Sequence, residues 1–581
     1  MSKLTSAISL KVRKLRDWYF RGKYQLIARL LGRAGTPGDL SERGLLIIQL
    51  DALPYETFCA AVERGYMPFI RRQLIRRRLQ ARKWYCPIPS NTPSVQAAVM
   101  YGNNDDIPGF RWYEKQGRTY INFKNPLAAG LVEERLNSRF DGLLAGGSSY
   151  CNVFSGQAST SIATIGTFTT AGLGKRLRGL QIFALVLLNF ITVIRTLAYT
   201  LWEFGTEIYD WINVLKHRVI QRGEYLFPLF RILMNVWVRE IITVGAMADI
   251  ARGSPSIYIS FLAYDELAHQ RGPFSKSTLN CLRTIDRRVR RMVQLAHRRI
   301  NRDYNVFIFS DHGIAASMPF FFLYRETLGQ CVARLADGKP TRYVHEHCGE
   351  SQVTYARILA LRLETYERGL VRGLGWLVRA FRSILVRRVE KEQEPHAGDD
   401  VVVAVSSPLG HIYLPVEGNL QDAAILQDYP VLIPGLVKHE GIGLVVTRHN
   451  GGIIVRSKHG IATIGPDGKV IEIEGDPLFR IEPKNLAIRG LVKLMRMSNS
   501  GDVVVQGADH GRYVVNFEEQ MAAHGALGGL QNSAFILHPP EYGWIGDIDD
   551  PRQLHEIFLH VRALHAQAHQ AHPMASPAHQ A

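Results

Sequence analysis

The sequence predicts an α/β fold, with a mostly parallel central sheet flanked by helices and carrying helical insertions. Two apolar runs and one helical signal support this. Gly44–Leu50 (GLLIIQL) is almost wholly apolar, and residues 306–309 (VFIF) are β-branched or aromatic. Each run stops abruptly at polar residues, the pattern of a strand buried on both faces. The first ends in Asp51 and the second in Ser310-Asp311-His312-Gly313. Both would deliver polar groups at a C-terminal strand tip, where open α/β sheets bind ligands. The helical signal, residues 95–100, follows a proline-held turn, Pro87-Ile88-Pro89-Ser90-Asn91-Thr92-Pro93-Ser94.

In chain order, region 1–43 is read as a basic amphipathic helix. Val12, Leu15, Trp18, Tyr19, Leu26, Ile27 and Leu30 trace a stripe, and Lys11, Arg13, Lys14, Arg16, Arg21, Lys23 and Arg29 surround it. That pattern fits an interfacial membrane helix; the same stripe also suits docking on the chain's own core. The main α/β region spans 44–540, with an apolar helical insertion over about 165–250. Within it, residues 180–194 carry no charge and are followed by Arg195. A spanning helix needs about 20 apolar residues, so the insertion reads as membrane-dipping or interfacial, with a buried cap as the alternative. Residues 370–389, inside a helix expected over about 360–392, repeat the basic amphipathic theme. A solvated linker over 390–400 leads to a strand at 401–405. Region 541–581 reads as a helix followed by an Ala/His/Gln-rich disordered tail.

The chemistry-bearing residues sit at these junctions. In FLAYDELAHQRGP, Asp265 and His269 are four apart and would share one face of a helical turn. The turn before residue 95 sets a small hydroxyl residue, Thr92, at a helix start whose N–H groups favour an anion. Each feature singly also has an ordinary use, since acids and threonines at such positions serve as turn residues and N-caps.

Taken in this order, the elements resemble the alkaline phosphatase superfamily, specifically its type I phosphodiesterase/nucleotide pyrophosphatase-like branch, over residues 44–125, 254–335 and 500–540. The resemblance implies an alkaline phosphatase-like core and a phosphoester hydrolase of the phosphodiesterase or phosphatase type. It implies Thr92 as a nucleophile that also touches the metals. It assigns Asp51, Asp311 and His312 to one divalent ion, and Asp265, His269 and His524 to the other. His524-Gly525 is chosen as the late His-Gly of the family over His510-Gly511; His411 and His459 read as polar surface histidines. Two cations about 4 Å apart stabilise both the attacking and the leaving oxygen of a phosphoryl displacement. Carboxylates mixed with imidazoles suit zinc, with manganese as the second choice. A threonine hydroxyl is a weak nucleophile until its pKa is lowered.

The sequence departs from the family after the nucleophile. Nucleotide-cleaving relatives usually carry T-G-x-x-P-x-x-H-G-I and then an Asn for a phosphate oxygen. Here the stretch runs from Tyr101 to Tyr113, with Pro108 in place of the His and no Asn at the expected position. Arg111 is the candidate replacement as a phosphate clamp, or else pairs with Asp105 or Asp106. Cys86-Pro87-Ile88-Pro89 lacks the Arg of a sulfatase signature.

Composition bounds the partners. The chain has 581 residues, is 46% hydrophobic and carries a formal net charge of +18. Such charge implies an anionic partner; organised into amphipathic helices, it points to an anionic membrane surface rather than nucleic acid. Cys59, Cys86, Cys151, Cys281, Cys331 and Cys348 are scattered, so neither a disulfide framework nor a thiolate metal site is expected. With no evident secretory signal, the expectation is a cytoplasmic enzyme held at the inner membrane face, acting on a lipid or lipid-linked phosphoester. A soluble phosphomonoesterase or phosphomutase-like enzyme, or a catalytically silent membrane scaffold, are the alternatives.

Overall fold

The structure is a computed structural model and describes residues 18–31, 42–167, 184–185, 187–217, 233–336, 341–344 and 401–571. Seven strands form the central sheet: β1 (Gly44–Leu50), β2 (Gln80–Tyr85), β3 (Ser148–Tyr150), β4 (Thr160–Ile162), β5 (Ser256–Phe261), β6 (Tyr304–Phe309) and β7 (Ser533–His538). Their spatial order is β2-β7-β6-β1-β5-β3-β4. The block from β6 to β4 is parallel throughout; β7 runs against β6, and β2 against β7. The expected α/β class with a mostly parallel sheet is therefore what the chain adopts.

The side-chain alternation of β1 explains why it lies at the centre. Leu45 and Ile47 enter a core with Trp84, Phe307, Phe309 and Phe558 on one face. Leu46, Ile48 and Leu50 enter a second core with Phe58, Ile257, Ile259 and Leu282 on the other. Strand side chains alternate in direction, so an apolar run without alternation must be covered on both sides. Full burial of each such side chain contributes about 1.5–3 kcal/mol.

Five helices frame the site and its surroundings: α1 (Thr92–Tyr101), α2 (Phe190–His217), α3 (Arg239–Arg252), α4 (Ala263–Arg271) and α5 (Lys276–Ala296). The Ser275 hydroxyl caps α5 by accepting from Thr278 N–H. Leu282, Ile285, Val289 and Met292 then bury one face of that helix at three- and four-residue spacing. A second, mostly antiparallel sheet of eight strands begins at Thr341–Val344 and Val401–Ser406 and includes Leu409–Tyr413, Ile442–His449 and Val503–Gly507. Of this sheet the sequence pattern had marked only the strand at 401–405.

The N-terminal helix packs one of its faces on the core. Over residues 18–30 it turns Tyr24, Ile27 and Ala28 into the main core, with Phe20 and Leu31 packed against that core. Tyr24 reaches Met247 of α3, and Arg298 lies over the Phe20 ring. That face docks on the chain's own helices, whereas Trp18, Tyr19 and Leu26 of the stripe read from the sequence remain exposed. The helix expected over 360–392, the linker over 390–400 and the last ten residues of the tail lie outside the described residues. Among the described residues no helix is long and apolar enough to cross a membrane.

His459 is exposed, as expected of a surface histidine, but His411 is wholly buried. Its Nε2–H donates to the Pro108 carbonyl at 3.1 Å, and its Nδ1 accepts from Gly501 N–H at 3.2 Å. Both ring nitrogens are satisfied in the neutral form, and burial pushes the imidazole down to about 4. The folded value lies below that of an unfolded histidine, so this stability is present above about pH 6.5 and is lost as pH falls towards 4. The expected loss is about 3 kcal/mol across that window. Denaturant unfolding of wild type and His411→Gln at several pH values checks it: the variant's stability should fall less steeply between pH 6.5 and 4, and parallel curves would refute the assignment.

Candidate metal centre

Three adjacent parallel strands bring the acids together. Asp51 follows β1, Asp311 and His312 follow β6, and Asp265 and His269 lie on α4, which follows β5. Behind Asp51, Ala52 takes a left-handed conformation (φ 56°) and donates its N–H to Asp311 Oδ1 at 3.2 Å. That backbone costs about 1–2 kcal/mol for a non-glycine residue, and here it locks the tips of β1 and β6 together. Gly313 completes the β6 tip, because a Cβ there would collide with the Leu530 carbonyl oxygen.

Asp51, Asp311 and His312 form one fully buried group, and Asp265, His269 and His524 form a second, partly exposed one. Within each, one ligand-type atom per residue lies within 4.8 Å of the others. His524 reaches the cluster because residues 521–523 are pinned to α4 and to the segment after β6. Met521 N–H donates to the His269 carbonyl at 2.8 Å, and Ala522–Ala523 pairs with Ala315–Pro319. The rival, His510, is exposed and packs on Tyr513.

Thr92 is freed for chemistry by its neighbour. Asn91 caps α1 through its side chain, which accepts from Ser94 N–H at 3.0 Å, so Thr92 is the first helical residue rather than the cap. Its Oγ1 lies 3.1 Å from Asp51 Oδ1 and 3.2 Å from His312 Nε2.

The donor set fits cations. His269, His312 and His524 each turn Nδ1 to a backbone carbonyl, of Ala522 (2.8 Å), Gly313 (2.9 Å) and Ser90 (3.2 Å) respectively. Nδ1 must be the donor in each, so every Nε2 points into the cluster, the second-shell arrangement of metal-ligating histidines. His524 Nε2 lies 3.2 Å from His269 Nε2, and the His312 and His524 rings stack at 4.1 Å. Asp265 Oδ1 and Asp311 Oδ2 are buried and accept no hydrogen bond among the described residues. His269 Nε2 stands 3.2 Å from the first, and His312 Nε2 stands 3.3 Å from the second.

The electrostatics carry the same message. Burial, then the charges of Asp311 and Asp265, push the Asp51 carboxyl well above its ordinary value. Burial opposes charge on Asp265 and His269 too, yet their mutual attraction holds the acid well below the carboxylate range and lifts the imidazole to about 9. Burial and then His312 push His524 well below its ordinary value, leaving it neutral. A proton on His269 therefore sits where a cation would compete for the same nitrogen.

A third group, Glu326, Cys331 and His439, has a metal-like composition but the wrong protonation. His439 Nδ1 accepts from Gly441 N–H, so its Nε2 carries the hydrogen that faces Glu326 at 3.2 Å. Arg334 already lies on the same carboxylate at 3.0 Å. An ion pair explains this group fully.

Arg111 requires a correction. Rather than reaching for a phosphate, its guanidinium is buried against Glu518 and donates to the Val405 carbonyl at 3.1 Å. Nor does it pair with Asp105 or Asp106, which face Lys493 and Arg139. Its role is to join the stretch after α1 to the second sheet.

Sequence reading missed the buried amides beneath the site. Gln49 donates to Asp51 Oδ1 at 3.4 Å and accepts from Tyr258 (2.5 Å) and from Gln96 of α1 (3.0 Å). Gln96 also donates to Asn152 and Ser260, so the helix that carries Thr92 and the strand tips share one polar network. The available signal was the lone glutamine in GLLIIQL, two residues before Asp51.

If the cluster takes up cations, metal must stabilise the fold. Thermal unfolding after chelation should show a lower midpoint, and readdition of Zn²⁺ or Mn²⁺ at a hundredfold excess over its Kd should restore about 2.7 kcal/mol for each occupied site. Asp311→Asn should fold yet lose the share of the Asp51, Asp311 and His312 group. An unchanged wild-type midpoint would contradict the cation fit.

Residues 243–332 match the family model for type I phosphodiesterase / nucleotide pyrophosphatase. No curated protein matches the chain. Among solved structures it is similar to murine ectonucleotide pyrophosphatase / phosphodiesterase 5, at 8% identity over 90% of this chain and 95% of that one, with a TM-score of 0.41. It is also similar to phosphonoacetate hydrolase from Sinorhizobium meliloti 1021 in complex with phosphonoformate, at 13% identity over 90% and 96% of the two chains, with a TM-score of 0.37. The resemblance read from the sequence is thus borne out over the segment that carries Asp265, His269, Asp311 and His312, where the chain matches the type I phosphodiesterase / nucleotide pyrophosphatase family.

Proposed function

We propose that the chain is a phosphoester hydrolase that uses Thr92 as nucleophile and two divalent cations, zinc first and manganese second. The observation that carries the reading is the convergence of three Nε2 atoms and three carboxylates in two adjoining groups, one of which holds the Thr92 hydroxyl through Asp51 and His312. Cations held by Asp51, Asp311 and His312, and by Asp265, His269 and His524, would supply Lewis acidity to the phosphoryl group and lower the pKa of the Thr92 hydroxyl. The chain's own part is positioning. Asn91 caps α1 so that Thr92 Oγ1 is free, and Asp51 and His312 fix that oxygen from two sides. Thr92 Oγ1 gives up its proton to solvent and bonds to phosphorus as the ester P–O bond breaks, and the leaving oxygen takes a proton from solvent. Water then cleaves the phospho-threonine and restores the hydroxyl. The positive end of the α1 dipole favours the anionic phosphoryl group at its N-terminus.

The finer reading is membrane association with a lipid-linked phosphoester as substrate. It is supported by the net charge of +18 and by the apolar insertion. Hydrolysis of p-nitrophenyl phosphate and bis-p-nitrophenyl phosphate by wild type and Thr92→Ala tests the chemistry. The variant should lose turnover by on the order of a thousandfold or more; full turnover in Thr92→Ala would remove the nucleophile, and no hydrolysis by metal-loaded wild type would count against the enzyme.

A further inference from the structure

Helix α2 is inside out. The segment leading into and through it buries Asn189 and Thr196, yet leaves Phe190, Ile191, Ile194, Leu197, Leu201 and Trp202 exposed. Ile191 is 80%, Leu201 74% and Trp202 70% exposed. These positions recur at three- and four-residue spacing and form one stripe. Surface helices in water carry the opposite polarity, and an apolar stripe of this length marks a contact with an apolar medium or partner.

The stripe is bordered by cations. Arg195, exposed on α2 itself, reaches Glu240 of α3 at 3.2 Å. Arg287, exposed on α5, donates to Tyr199 of α2 at 2.5 Å, and the Arg288 guanidinium lies over the same ring. Glu240 is buried and also bound by Arg288 and Arg291, so the acid beside the stripe is neutralised from within. Arginines flanking an apolar face with a tryptophan on it match an anionic lipid surface: the stripe enters the acyl boundary while guanidinium groups meet headgroups.

We propose that the exposed face of α2 is the surface on which this protein lies against an anionic bilayer. This inference rests on the membrane reading above and assigns the contact to one helix. The test is flotation of the full chain with phosphatidylglycerol/phosphatidylcholine vesicles, for wild type, Ile191→Glu and Leu201→Glu. Hydrolysis of a soluble p-nitrophenyl ester serves as the check that each variant is folded. Wild type should float with the vesicles, and each variant should partition at least about tenfold less while keeping soluble-substrate turnover. If all three float equally, the membrane reading stands and the assignment to α2 falls. Should wild type stay with the soluble fraction, both fall. In that case light scattering shows whether a second copy covers the stripe, as a dimer that Ile191→Glu dissociates. A lowered thermal midpoint in monomeric variants would instead mean that the chain covers the stripe itself.

Discussion

Three carboxylates held out of water within one cluster repel each other, and the site's architecture answers that constraint. Asp51, Asp311 and Asp265 arrive together because β6, β1 and β5 are adjacent and parallel, so their C-terminal tips share one edge. Like charges at such range are tolerated only with compensating positive charge. The proton on His269 supplies part of it, and the orientation of the imidazoles, Nδ1 outward and Nε2 inward, leaves room for cations to supply the rest. The partly exposed group of Asp265, His269 and His524 gives the cluster its open side.

Thr92 is held by a division of labour between neighbours. Asn91 takes over the capping that a threonine at a helix start would otherwise perform, and Thr92 Oγ1 is left to Asp51 and His312. Behind them, Gln96 on α1 and Gln49 on β1 hydrogen-bond to each other at 3.0 Å. Helix and strand therefore cannot shift independently without leaving buried amides unsatisfied, a penalty of about 1–3 kcal/mol per group. The geometry at Thr92 is set by this network as much as by the ligands themselves.

Much of this was legible in the sequence, because the informative signals are local. An apolar run ending in an acid, or an Asp and a His four apart, can be read without knowing the fold. His524 and His510 were separable only through the family resemblance, since each stands in a His-Gly beside a short apolar run. Arg111 could not be read correctly, because its partner Glu518 lies 407 positions away in sequence. The second sheet was hidden for the same reason: Leu409 pairs with Gln506, and no local pattern announces that pairing. The N-terminal helix poses a different problem. An amphipathic helix looks alike whether its apolar face meets lipid or protein, and only packing showed that Tyr24 and Ile27 meet α3 and α5. In α2 the apolar residues Phe190, Ile191, Ile194, Leu197, Leu201 and Trp202 face outward instead.

The central claim is that this cluster is a two-cation site. Anomalous diffraction from crystals of the chain grown with Zn²⁺ tests it most directly. The account predicts two peaks, one among Asp51, Asp311 and His312 and one among Asp265, His269 and His524, with ligand distances of about 2.0–2.2 Å. Crystals with no peak at this cluster, or with zinc bound instead at Glu326, Cys331 and His439, would contradict it.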